Sequence, residues 1–254
     1  MRVTPPIPLA THGVVRAVFA GPIRSLRSPR QPGGNTTAWR SAILKAPLAS
    51  AEVGTLGLRG DAQKETKHHG GPQKAVLVYG AAHYGAIWDA VLRPHAAAHA
   101  DALRAMSGEV DASFYTFGAF GENLTIDGVT ERTVCLGDVW RIGSCELEIT
   151  EPRGPCGTLT RRWMRPALLQ EVHQTAAAGW YNAVRRDGVV AAGDDAVLVQ
   201  RVQDEWTLER VYHLEQDRVV SRRDALALRD TTVATDATRQ RMEKRLATPG
   251  RLRD

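Results

Sequence analysis

Between residues 42 and 202 the chain is written as short apolar runs broken by turn residues, and this punctuation constrains the fold more than any other feature. Runs of strand length bounded by Gly, Pro, Asn and Asp belong to a barrel or sandwich, not to a helical bundle. Residues 75–79 are one such run. Residues 137–150 read as a hairpin: Val139-Trp140-Arg141-Ile142, a turn at Gly143-Ser144, then Cys145, Leu147 and Ile149 alternating with Glu146 and Glu148. That period of two puts Cys145 on the buried face. Asp127-Gly128 inside 123–129 marks another hairpin turn. Asp187-Gly188 introduces two more strands, 189–192 and 196–202.

Helical spacing occurs at fewer places. Residues 83–92 set Tyr84, Ile87, Trp88 and Val91 on one face, and the alanine-rich stretch 94–106 reads as a second helix. The whole span 94–113 is an expansion that would form an outer helix or lid, with no site residue. Pro166 is placed to start a helix through Leu168, Leu169 and Val172. Beyond Trp206 the apolar residues thin out and recur helically, at Leu208, Val211 and Tyr212, at Leu226 and Leu228, and at Met242 and Leu246, as in a small appendage. The first 40 residues carry six of the 13 prolines, too many for a continuous helix, though 14–19 is apolar enough for a strand.

The net charge of +5 invites a nucleic-acid reading, but its distribution argues otherwise. Residues 1–60 hold eight basic groups and one acid, residues 61–217 hold 15 and 22, and residues 218–254 hold 10 and five. The body is acidic and the excess lies in the flanks. Aromatic residues are sparse there, with only Phe19 and Trp39 before residue 60 and none after Tyr212, so stacking on bases is not expected. Three cysteines without a pairing pattern suit a reducing compartment such as the cytoplasm. The most apolar stretch, 75–92, is interrupted by His83 and Asp89, and no membrane span is expected.

The most informative segment is Glu151-Pro152-Arg153-Gly154-Pro155-Cys156-Gly157. Two prolines make a stiff loop after a strand, holding a thiol at one place. Arg153, three residues away, favours thiolate, the form that attacks electrophiles or binds soft metals. By spacing alone, a working thiol and a free cysteine in a tight turn remain equally open. Cys135 and Cys145 lie in apolar runs and read as core. A second segment is Gly60-Asp61 followed by His68-His69-Gly70-Gly71-Pro72-Gln73-Lys74, where glycines admit close backbone approach and Lys74 could pair with phosphate. His95 and His99 lack the acid of a zinc-binding helix. Phosphate-loop and dinucleotide glycine signatures are absent.

In order, Gly60-Asp61, His69-Gly70-Gly71, Lys74-Ala75-Val76, Tyr79, His83-Tyr84, Trp88, Gly118-Ala119-Phe120-Gly121-Glu122-Asn123-Leu124, Gly128, Thr130-Glu131, Gly137-Asp138 and Pro152-Arg153 with Pro155-Cys156 resemble the signature of MOSC domains, named after the C-terminal domain of molybdenum cofactor sulfurases. The resemblance is strongest to the stand-alone bacterial YiiM-like branch, whose tail carries three short helices. It implies an α+β fold: a mixed β-barrel over 36–204 with peripheral helices, a helical segment over 205–254, and a loosely ordered extension over 1–35. It also implies a molybdopterin cofactor with Cys156 as ligand to molybdenum, and reduction of N-hydroxylated compounds such as 6-N-hydroxylaminopurine to amines. Electrons would come from a separate reductase, and pairing with a second copy stays open. His69, Gly70, Gly71, Lys74, Asn123 and Arg153 would hold the cofactor. Lys45 and Thr55 would work with Cys156, with Leu48 replacing the branch's usual valine. The competing reading is a carrier that passes sulfur or cofactor through a Cys156 persulfide without turning over a small substrate.

Overall fold

The computed structural model describes residues 7–64, 70–106 and 115–253. Along the chain it places β1 (His12–Ala20), β2 (Arg24–Ser28), β3 (Thr37–Ser41), β4 (Ala46–Leu48), β5 (Ser50–Gly54), β6 (Gly57–Leu58) and β7 (Val76–Gly80). Helices α1 (Asp89–Ala98) and α2 (Ala100–Arg104) precede β8 (Leu124–Asp127), β9 (Val139–Ile142) and β10 (Cys145–Pro152). Then come α3 (Gly157–Trp163), α4 (Leu168–Thr175), β11 (Trp180–Arg186), β12 (Gly188–Ala191) and β13 (Asp195–Gln200). The tail holds α5 (Leu208–Gln216), β14 (Val220–Ser221), α6 (Arg222–Asp230), α7 (Asp236–Leu246) and β15 (Leu252–Arg253).

Seven strands close a ring in the order β13-β9-β10-β11-β7-β8-β1, with β1 returning to β13 and β4 added beside β1. The barrel is mixed because β7 and β8 run parallel while the other neighbours in the ring are antiparallel. A register shift between Val15 and Ala17 bends β1, which pairs along its length with β13, β8 and β4. Such a bulge turns a strand more sharply than regular pleating allows. β1 lies inside residues 1–35, so the expected N-terminal extension is corrected: the strand at 14–19 is a barrel wall.

Other local expectations shift for identifiable reasons. The turn at Asp127-Gly128 forms, with Gly128 at φ 82°, but β8 does not fold back as a hairpin because β7 and β1 already flank it. β12 pairs with β5 in a small side sheet and not with β13. Residues Tyr84–Trp88 form a π-turn before α1, and the wider turn puts Tyr84, Trp88, Leu92 and Ala96 on the buried face while Val91 is only half-buried. Pro94 sits inside α1, and the helix breaks instead at His99 (φ −121°, ψ 22°).

The barrel lumen is filled by Val15, Val78, Ile126, Trp140, Ile142, Leu147 and Ile149. Leu208, Val211, Leu214, Leu228 and Met242 join the same apolar cluster, so the tail helices are packed onto the barrel. A second cluster, including Tyr79, Trp88, Phe120, Trp163 and Leu168, lies under α1, α3 and α4. Among the described residues no helix is long and apolar enough to cross a membrane.

Candidate active site at Cys156

One rim of the barrel gathers the start of β8, the start of β11 and the ends of β1 and β10. There β10 runs into Arg153-Gly154-Pro155-Cys156, and Cys156 caps the N-terminus of α3 in an extended conformation (φ −135°, ψ 155°). The Arg153 N–H donates to the Gly179 carbonyl at 2.9 Å, fixing the loop to the turn before β11. Gly179 has φ 79°, and a Cβ there would stand 2.6 Å from the Val78 carbonyl oxygen, so the turn admits only glycine. The Cys156 side chain, half-buried, lines a cavity of about 150 Å³.

Cations dominate the cavity wall: Arg40, Lys45, Lys64, Lys74 and Arg153 line it together with Asp61, Asn123 and Tyr181. Arg153 is buried and its Nη1 donates to the Phe120 carbonyl at 2.7 Å. Burial alone would lower its pKa, yet attraction to Cys156, Tyr181, Tyr79 and Glu122 holds it above the usual arginine value. A permanently charged guanidinium beside the sulfur favours thiolate. Burial pushes the Tyr181 phenol up to about 12, so it faces the cavity as a neutral group.

The opposite wall is built from Lys45, Asp61 and Asn123. Lys45 and Asp61 form a buried ion pair. The Asn123 amide donates to Asp61 Oδ2 at 2.9 Å and to the Phe19 carbonyl at 3.2 Å, and its Oδ1 accepts from the Leu77 N–H at 3.0 Å. The Gly21 N–H donates to Asp61 Oδ1 at 3.0 Å. Burial lowers the Lys45 pKa despite the opposing pull of Asp61 and Glu122, and the nearby Arg153 charge adds to the lowering. Lys45 therefore releases a proton more readily than an exposed lysine.

Glu122 shapes the segment between these walls. Its fully buried carboxylate accepts from Gly118 N at 2.8 Å, Phe120 N at 3.1 Å, Thr125 Oγ1 at 2.9 Å and Tyr84 Oη at 2.5 Å. Four donors on one carboxylate satisfy its lone pairs and lock the loop that presents the Phe120 carbonyl to Arg153.

The structure therefore brings Cys156, Lys45, Lys74, Asn123 and Arg153 to one cavity, and it does not bring Thr55 there. Thr55 is exposed in the turn between β5 and β6, on a groove shared with Glu52, Arg59 and Asp187, because β4 and β5 carry the chain away from Lys45 within ten residues. Gly70 and Gly71 also lie off the cavity. Gly71 (φ 89°) starts the single 3₁₀ turn Pro72–Lys74 that brings Lys74 to the wall, while Gly70 borders a separate groove with Gln73 and Glu151. His69 lies outside the described residues. Asp61 was visible as Gly60-Asp61, but its partners are 16 and 62 positions away and local spacing does not announce them. Arg40, Lys64 and Tyr181 gave no sequence signal.

The remaining candidates are structural. Cys135 and Cys145 are fully buried, and burial pushes their thiols up to about 12 and about 11. His95 is tied to the Trp163 carbonyl at 2.7 Å, and among the described residues no three His, Cys, Asp or Glu side chains converge as a metal site.

The family model described as "MOSC domain" matches residues 65–197, just over half of the chain. The chain belongs to the MOSC domain family. Protein YiiM of Escherichia coli is 35% identical over 187 residues, covering 74% of this MOSC protein and 72% of YiiM. The uncharacterized protein YflK of Bacillus subtilis is 35% identical over 162 residues, 63% of this chain and 64% of YflK. A Gibberella moniliformis protein named "Reductase" is 31% identical over 219 residues, 84% of this chain but 34% of the fungal protein. The crystal structure of YiiM from Geobacillus stearothermophilus superposes with a TM-score of 0.67 at 24% identity, covering 93% of this chain and 100% of that one, and shares the MOSC fold.

Proposed function

We propose that the Cys156 cavity receives a molybdenum–pterin cofactor and that the chain reduces N-hydroxylated compounds to amines. The observation that carries this reading is a half-buried thiol set among five cationic side chains and one acid, Asp61, that is already paired. The donor set fits the group: a soft thiolate suits molybdenum, and lysine and arginine suit a pterin phosphate. The fungal relative's name, Reductase, supports the reductive direction.

When bound, such a cofactor supplies the two-electron chemistry at the N–O bond. The chain's own residues do the rest. Cys156 Sγ would be the protein ligand, and the Arg153 charge favours its thiolate form. Lys74 and Arg153 neutralise the anionic part of the bound group. Conversion of R–NHOH to R–NH2 and water consumes two electrons and two protons. The electrons come from a separate reductase protein. Lys45 Nζ, its pKa lowered by burial, is the group that hands a proton to the departing hydroxyl, and Asp61 with Asn123 holds it there.

Protein purified from molybdenum-replete cells should contain about one molybdenum and one pterin per chain, and should reduce 6-N-hydroxylaminopurine with reduced viologen as donor. Cys156→Ser should lose both metal and activity. Metal-free protein from cells that load a control molybdoenzyme would sink the reading. A Cys156 persulfide in protein without turnover would replace it with the sulfur-carrier role.

A further inference from the structure

Glu151 is the penultimate residue of β10, two residues before Arg153 and five before Cys156, and its buried carboxylate is divided between two cations. Oε1 meets Lys74 Nζ at 3.0 Å, and Oε2 accepts from Arg241 Nη2 of α7 at 2.6 Å. The same Nη2 stands 2.9 Å from Glu215 Oε1 on α5. The side chains of Glu151 and Glu215 are 4% and 3% exposed and those of Lys74 and Arg241 18% and 34%, so the carboxylate ends of these contacts are shielded from solvent while the cations reach toward it. Lys74 belongs to the wall of the Cys156 cavity, its ammonium 5.4 Å from the centre of the Tyr181 ring. A charge relay thus runs from the tail helices, through Glu151, to a cation facing the candidate site.

We propose that Arg241 is a positioning residue for the Cys156 cavity, which by sharing the Glu151 carboxylate with Lys74 sets how much of the Lys74 charge is offered to an anion bound there. The proposal rests on the reading of that cavity as an anion site. A buried carboxylate facing one lysine would close into a neutral pair. Facing two cations, it leaves a net positive charge, and part of that excess is available at Lys74.

Glu215 adjusts the division. It faces Arg241 and Thr238 on α7 and Glu151 on β10, while Arg245 donates to its backbone carbonyl. Burial, opposed by Arg241 and reinforced by Glu151, pushes its carboxyl up to about 7. Below that value Glu215 is neutral, Arg241 draws more on Glu151, and the group of four carries one net positive charge. Above it the group is neutral, and the cavity attracts anions less.

The test reads anion binding locally. Inorganic pyrophosphate is titrated against alkylation of Cys156 by iodoacetamide in purified full-length protein, with labelling at Cys156 followed by mass spectrometry, so no loaded cofactor is needed. Arg241→Met should weaken protection by about tenfold at pH 7, and Arg241→Lys should restore most of it. Glu215→Gln, nearly isosteric, should match wild type at pH 6 and bind several-fold more tightly at pH 8, which a purely structural role would not produce. Folded Arg241→Met with wild-type protection, or Glu215→Gln that follows the wild-type pH profile, would overturn the proposal. Should Arg241→Met not fold, the Glu215→Gln profile decides alone. If pyrophosphate fails to protect wild type, the anion-site reading falls and the proposal with it; protected wild type with indifferent variants sinks the proposal only.

Discussion

The Asn123 side-chain amide donates to the Asp61 carboxylate at 2.9 Å, joining two residues 62 positions apart at the wall of the Cys156 cavity. The bond leaves Asp61 Oδ1 for Lys45 and the Gly21 N–H. Asn123 therefore acts on the candidate site through Asp61.

Asn123→Asp keeps the shape and the acceptor for the Leu77 N–H but turns a donor into a carboxylate facing Asp61. The two acids should repel, costing about 1–3 kcal/mol at pH 7. At an acidic pH the two carboxyls can share one proton, and the cost should shrink. Urea unfolding at both pH values checks this, and a penalty independent of pH would show that Asn123 does not press on Asp61.

Lys45 and Thr55 should behave oppositely. Lys45→Met removes the proposed proton donor and should lower 6-N-hydroxylaminopurine reduction by about 10²-fold or more. Thr55→Val, in an exposed turn off the cavity, should leave turnover within about twofold, in keeping with the small effect of most surface changes. Steady-state rates with reduced viologen separate them, and an impaired Thr55→Val would return that residue to the site.

The buried pair of His83 and Glu131, 2.5 Å apart, predicts a window of pH. Burial opposes both charges, but each partner prevails over it: His83 is held above its usual value and Glu131 below its own. The histidine's contribution is complete below its unfolded value of about 6.5 and is lost as pH rises through its higher folded value. The glutamate's is complete above about 4.5 and is lost as pH falls through its lower folded value. His83→Gln should therefore cost most stability between about pH 4.5 and 6.5 and progressively less above. Unfolding midpoints across pH 4–9 test the shape, and a flat difference would show that the pair is not charged.

Iodoacetamide should modify one thiol per folded chain and three in urea, because Cys135 and Cys145 have no exposed surface. Cys156→Ser should leave the folded chain unlabelled. Mass spectrometry of intact protein counts the adducts, and labelling of either buried cysteine under native conditions would contradict the packing.

The parts of this molecule legible from sequence are those whose determinants are neighbours in the chain. Cys156 and Arg153 share one stiff loop, and the β9–β10 hairpin declares itself through Gly143-Ser144 and the alternation after it. The parts that were not legible depend on distant partners. Nothing near Asp61 announces Asn123, and nothing near Glu151 announces Arg241. β12 precedes β13 directly in the chain, yet it pairs with β5, more than 130 positions away. After Tyr84 the π-turn departs from the period of 3.6, so Leu92 is fully buried while Val91, the position that period selects, packs only at the edge of the core.

The ring's last seam joins β1 to β13, and it is marked at the surface by His12 Nε2 and Asp195 Oδ1, 3.0 Å apart and 183 positions distant in the chain. During synthesis β1 leaves the ribosome before the other strands of the ring, and its partner β13 leaves after them. Until Asp195–Gln200 emerges, the His12–Val14 stretch of β1 presents an open edge, because β4 covers only Val18–Ala20 on that side. Vectorial folding of this barrel can proceed strand by strand, but closure waits for the final stave.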